Sequence, residues 1–131
     1  MPDEILILAL AAVLLVAHIQ IAIRAKTKEY GIAWNMGPRD GERPPLPPVV
    51  GRLERARDNF LETLPIAMIA LFGVVLADKT SEVTTIAGWT WLAARVIYLP
   101  LYWTGVPKVR TLVWAIATLA LLVVLAILIF G

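Results

Sequence analysis

Four long apolar runs divide this chain, with polar segments between them. They are Ile5–Ile23, Phe60–Ala77, Ile86–Trp103 and Leu112–Phe130, each long enough for a membrane crossing of roughly 20 residues. Allowing for flanking residues, the pattern predicts helices at about 4–26, 50–77, 83–104 and 107–130. Asp78-Lys-Thr-Ser-Glu82 and Thr104-Gly-Val-Pro107 are short polar turns, which make their flanking helices antiparallel neighbours. Residues 29–49 are a longer loop. Its prolines Pro44, Pro45, Pro47 and Pro48 favour an extended backbone and forbid a helix. The second helix carries Pro65 inside its apolar run, where the missing donor predicts a kink near Leu61.

Composition narrows the class. With 60% hydrophobic residues in 131 and a mean hydropathy of +0.78, almost nothing is left for a separate soluble domain. The expected fold is all-α: one integral membrane domain, residues 1–131, built as a four-helix bundle. The acidic start Met1–Glu4 and the long apolar core behind it suit a first span that stays, not a cleaved secretory signal. The absence of cysteine excludes disulfides and thiolate nucleophiles, and a single histidine with scattered carboxylates leaves no metal site. A net charge of +2 is no nucleic-acid signal.

The distribution of charge sets the orientation. Most lysines and arginines fall between Arg24 and Arg57, and Lys108 and Arg110 join them through the last turn. The positive-inside rule then places both termini outside and the loop 29–49 in the cytoplasm.

The candidate chemistry lies on the second and third helices. Arg52, Arg55, Asn59 and Glu62 recur at helical spacing, so they share one face of a continuous element that enters the membrane. Such a stripe is costly in hydrocarbon and is kept to bind something polar or to tie helices together. On the third helix Arg95, Tyr98 and Tyr102 also share a face. Guanidinium groups hold carboxylates, Asn59 offers a donor and an acceptor, Glu62 accepts an ammonium group, and tyrosines make amphipathic walls. A short acidic peptide fits that set.

Each residue also has a plainer role. Arg52 lies where an arginine snorkels to lipid phosphates. Arg55 and Glu62 suit an inter-helix ion-pair network, Asn59 a helix–helix hydrogen bond, and Tyr98, Tyr102 and Trp103 an aromatic belt. Arg95 needs a partner, for which Glu62 and Asp58 are the candidates. His18 and Gln20 read as a polar contact between helices in the trimer, not as a catalytic group.

Arg52-x-x-Arg55-Ala-x-x-Asn59-x-x-Glu62-x-x-Pro65 resembles the helix-two signature of the membrane-associated proteins in eicosanoid and glutathione metabolism, the MAPEG family. This family includes the microsomal glutathione transferases and leukotriene C4 synthase. Arg95-x-x-Tyr98-x-x-x-Tyr102 resembles the end of helix three in that family, and Arg110 is similar in placement to the arginine that stabilises the glutathione thiolate. The likeness, to microsomal transferase-like members of bacterial type, spans the whole chain.

It implies a homotrimer with glutathione between subunits near the cytoplasmic side. Arg55, Asn59, Glu62, Arg95, Tyr98 and Tyr102 would hold the tripeptide, and Arg24 or Lys26 would add a carboxylate contact. Arg110 would be catalytic, and a small apolar electrophile or lipid peroxide would arrive from the bilayer. Glutathione is then a co-substrate, and no metal is needed. The chain departs from the leukotriene-synthase branch in its longer, proline-rich loop, in Thr63 after the signature glutamate, and in the added charges Arg57 and Asp58. These departures argue against an eicosanoid substrate.

The resemblance leads to a glutathione-dependent transferase or peroxidase. The alternative is a non-catalytic protein of the same fold that binds a lipid-like ligand or a partner. A small transporter would place its charges near the midplane, whereas these cluster toward one side.

Overall fold

A computed structural model describes all 131 residues. Helix α1 spans Asp3–Tyr30, the short α2 Ile32–Met36, α3 Pro48–Leu76, α4 Glu82–Trp103 and α5 Pro107–Phe130. There are no strands. The four long helices pack into a membrane bundle. By length and composition α1, α3 and α5 are able to cross a membrane. Helix α4 is also of spanning length, since 22 residues rise about 33 Å. Its tryptophans, tyrosines and Arg95 make it the least apolar of the apolar runs.

Large aliphatic residues on the outside of the bundle, such as Val13, Ile69, Ile86 and Leu119, are exposed, as expected where the solvent is lipid. The interior is built from small residues and a few large rings. Ala11, Ala67, Ala70 and Val74 are fully buried with Ile7, Phe60 and Leu71, because small side chains let helix backbones approach. Gly88 marks a close approach: a Cβ there would lie 2.7 Å from Ile7 Cδ1 and 3.1 Å from Leu71 Cδ2. Through the centre runs a stack of rings. His18 lies on Phe60 with centroids 5.1 Å apart, and Phe60 lies on Trp91 at 6.1 Å.

Helix α3 does not keep one winding beyond its proline. Helix α3 continues as an α-helix through Pro65 to Ala67, then widens into a π-helical segment over Met68–Phe72 before resuming at Gly73. The change of winding begins three residues after Pro65. The long loop is also more structured than its prolines suggest. Helix α1 runs on to Tyr30, and α2 forms within the segment. Trp34 of α2 is buried, with Lys26 Nζ and Arg39 Cζ over its ring at 5.6 and 4.9 Å. The Tyr30 hydroxyl donates to the Pro44 carbonyl at 2.9 Å, which pins the extended stretch.

The two ends of the bundle differ in charge. One holds Asp3, Glu4, Asp78, Lys79 and Glu82. The other holds the end of α1, the start of α3, the α4–α5 turn and most of the basic residues.

Candidate functional site

At the basic end, the first turns of α3, the last turn of α4 and the first turn of α5 converge on a cleft of about 260 Å³. Pro48 lies in the first turn of α3 and Pro107 in that of α5, where a proline costs no hydrogen bond. Gly105, at φ 77°, makes the reversal between α4 and α5. The cleft is lined by Arg52, Arg55, Tyr102, Gly105, Pro107 and Arg110. Three guanidinium groups thus surround one hollow, and no carboxylate lines it.

Arg52 has a backbone partner within the chain. Its Nε donates to the Trp103 carbonyl at 3.1 Å, tying α3 to the end of α4 and turning the rest of the guanidinium toward the hollow. Arg110 Cζ stands 4.5 Å from the centroid of the Tyr102 ring, a separation at which cation and ring attract. The chain's ion pairs are Lys26–Glu54, Arg57–Glu54 and Arg57–Asp58. None engages Arg52, Arg55 or Arg110, so these three cations are uncompensated within the chain. Lys26, a candidate for a carboxylate contact, is 3.2 Å from Glu54, while Arg24 is exposed.

A second, smaller hollow of about 150 Å³ adjoins the first through Arg110. Asn59, Tyr98, Thr111 and Trp114 complete its walls. Tyr98 is buried, with its ring edge-on to Tyr102 at 5.5 Å. An interior position excludes Tyr98 from an aromatic belt. Asn59 Oδ1 is buried without a hydrogen-bond partner.

Arg95 sits deeper, eight residues from the end of α4, or about 12 Å. It is 1% exposed, and its guanidinium lies 4.2 Å from the Tyr98 ring centroid and 5.3 Å from that of Phe60. None of its three nitrogens has a partner. Neither expected partner reaches it: Asp58 pairs with Arg57, and Glu62 is exposed and makes no ion pair within the chain. Two cation–ring contacts replace the expected salt bridge. His18 likewise lies in the interior of the bundle. It is 1% exposed and stacked on Phe60, while Gln20 points outward.

The structure therefore brings together Arg55, Asn59, Tyr98, Tyr102 and Arg110, and adds Arg52. Arg95 lies behind this group, and Glu62 lines neither hollow. Trp114 was not legible as a site residue. Its only sequence signal is its place one helical turn after Arg110, a spacing shared by any i, i+4 pair. No group of His, Asp or Glu is arranged to hold a metal.

Neither a curated protein nor a solved structure matches the chain significantly. The model of the MAPEG family matches residues 5–130 of 131, so it covers α1 through α5 and both hollows. A membrane bundle of four long helices, with the arginine stripe of α3 meeting the tyrosines of α4 at one end, agrees with that match along its whole length: the chain belongs to the MAPEG family, whose members are tied to glutathione and eicosanoid metabolism.

Proposed function

We propose that the protein is a membrane-embedded, glutathione-dependent transferase or peroxidase that acts on small apolar electrophiles or lipid peroxides, and that it works as a homotrimer. The observation that carries this reading is the cleft of three uncompensated guanidinium groups, Arg52, Arg55 and Arg110, beside Tyr102. A tripeptide with two carboxylates answers that charge, because guanidinium binds carboxylate through paired hydrogen bonds. The buried, unpartnered Asn59 Oδ1 accepts a backbone N–H of the same ligand. The ligand's ammonium group finds no carboxylate in the cleft of one chain. Glu62, exposed and unpaired, supplies it from the boundary between subunits.

Arg110 is assigned to the sulfur. A fixed cation next to a thiol favours its ionised form, so the thiol loses its proton at a lower pH than in water. In the transfer reaction the thiolate donates an electron pair to an electrophilic carbon, a C–S bond forms, and the leaving group departs with its own pair. Tyr102 holds the guanidinium from one side, while Tyr98 closes the small hollow. The basic end faces the cytoplasm in this reading, and both termini lie outside.

Titration calorimetry of the purified protein with glutathione tests the proposal. Saturable binding, with a thiolate absorbance that vanishes in Arg110→Ala, is the expected result. Absence of glutathione affinity in a folded, trimeric preparation sinks it. The non-catalytic reading is favoured by one feature, the burial of Arg95 against two rings, away from the cationic cleft. It predicts that loss of Arg55 or Glu62 unfolds the trimer in detergent instead of sparing the fold and abolishing binding.

A further inference from the structure

Trp114 divides the small hollow from an apolar slot of about 280 Å³ between α3, α4 and α5. Both spaces belong to the site already described. The segment that joins α1 to α3 does not, since none of its residues lines the cleft, the small hollow or the slot. Yet this segment holds α2, whose outer face is poorly suited to water. Ile32 and Met36 are one turn apart on the same side of α2 and are 71% and 82% exposed. Trp34, on the opposite side, is buried.

The position of α2 shows what meets that face. The apolar run of α1 ends at Ile23, and Thr27 lies four residues, or about 6 Å, beyond it. Gly31, at φ 95°, reverses the chain, so α2 returns along the end of α1. Asn35 Nδ2 donates to the Thr27 hydroxyl at 2.8 Å, and Lys26 Nζ stands over the Trp34 ring. Met36 follows Asn35 and is thereby carried back to the level where hydrocarbon gives way to head groups. The side of the bundle is fixed as well. Val16, Ile23 and Thr27 recur at i, i+7 and i+11, so they form one stripe of α1, and Val16 is exposed. Helix α2 is therefore bonded to the stripe whose deeper part is covered by lipid.

The charges agree with this depth. Lys28 and Arg39 are exposed on either side of α2 and take part in none of the chain's ion pairs. Arg39 Nε donates to the Asn35 carbonyl at 3.1 Å, which holds its guanidinium against α2. Cations at the membrane boundary reach lipid phosphates, while apolar side chains between them enter the upper acyl region.

We propose that α2 is an interfacial foot that seats Ile32 and Met36 in the acyl boundary of the leaflet at the basic end, with Lys28 and Arg39 at the phosphate level. Its partner is the surface of the bilayer in which the bundle stands. The hydrogen bond from Tyr30 to Pro44 extends this anchoring to the stretch that enters α3. The foot thus holds the loop beside the cationic cleft and not across it. Nothing in the proposal depends on glutathione.

The chain contains no cysteine, so single cysteines report without background. Met36→Cys, Ile32→Cys, Asp40→Cys and Leu119→Cys are each spin-labelled in the full-length protein in phosphatidylcholine nanodiscs, after circular dichroism has shown parental helicity. Collisions with oxygen, which concentrates among acyl chains, are compared with collisions with a water-soluble nickel chelate. Leu119, exposed midway along α5, marks hydrocarbon, and Asp40 marks water. Oxygen is expected to exceed nickel at Met36 and, by a smaller margin, at Ile32, with the reverse at Asp40. Adding Ile32→Asp to Met36→Cys is expected to lift the foot and raise nickel collisions at position 36 to the level found at position 40.

An excess of nickel over oxygen at both positions 32 and 36 overturns the proposal. So does a label that is immobile and shielded from both reagents, because a second copy or another part of the chain then covers this face. Accessibility at position 36 that Ile32→Asp leaves unchanged overturns it too.

Discussion

The two ends of the bundle use their polar side chains in different ways. At the acidic end Asp78 and Glu82 are exposed, and the carboxylates that face the bundle are paired. Glu4, 2% exposed, accepts from the Thr84 hydroxyl at 2.8 Å and from that of Thr85 at 3.2 Å. Asp3 accepts from the Trp89 indole at 3.0 Å. Lys79 Nζ donates to the Leu128 carbonyl at 2.8 Å, capping the C-terminus of α5. Ser81 and Thr84 close a reciprocal capping box at the start of α4. These contacts join α1 to α4 and the α3–α4 turn to α5, and they leave nothing for a ligand.

At the basic end the cations of the cleft have rings and carbonyls for company but no acids. Polar groups that satisfy one another hold helices together. Polar groups held in place but left without counter-charges are available to something else. The same contrast separates Glu54, which is tied to Lys26 and Arg57, from Arg55, its neighbour in sequence.

Four substitutions test this contrast. The largest effect belongs to neither end. Phe60→Ala removes the ring that His18, Trp91 and Arg95 share. It should cost about 3–5 kcal/mol, read as a marked drop in the thermal midpoint in detergent. A small drop would mean that the stack is not the centre of the fold.

Next comes Arg110→Ala. Loss of one preorganised charge partner at the reacting atom should lower turnover about a hundredfold, while the thermal midpoint stays close to that of the parent. A loss of stability instead of activity would make the basic end as structural as the acidic one.

Glu4→Ala is the mirror experiment. It should destabilise by about 1–3 kcal/mol, since it removes two hydrogen bonds to a buried carboxylate, and should leave the glutathione dissociation constant unchanged. A weakened dissociation constant would show that the ends are coupled. The smallest effect is expected for Lys79→Met, about 0.3–1 kcal/mol for a lost cation at a helix C-terminus. It should be measurable as faster hydrogen exchange at the end of α5 before any change in midpoint appears.

Much of this architecture can be read from the chain. Apolar length determines the helices, because a membrane leaves few other ways to satisfy the backbone. Arg55 and Asn59 are four residues apart on α3, and helical geometry alone puts them on one side. The partner of Arg95 was not legible in that way. Spacing offers Glu62 and Asp58 to Arg95, yet the packing turns Glu62 outward and gives Arg95 two rings instead. Local periodicity says which residues share a face; it does not say which face meets which neighbour. The same limit hid Arg52's bond to Trp103, 51 residues away, and the role of Trp114 as a divider between two spaces.

By itself, then, the sequence determined an all-helical membrane bundle, the end that carries the cations, and the family to which those cations belong. These follow from hydropathy, charge order and fixed spacing along a helix, all of which are local. Only the tertiary structure decided that Arg52, Arg55 and Arg110 enclose one cleft, that His18 and Arg95 lie in the bundle interior, and that an apolar slot opens behind Trp114. Each depends on how α3, α4 and α5 rotate and close on one another, and that is set by the fit of small residues and rings across helices, which no single helix encodes.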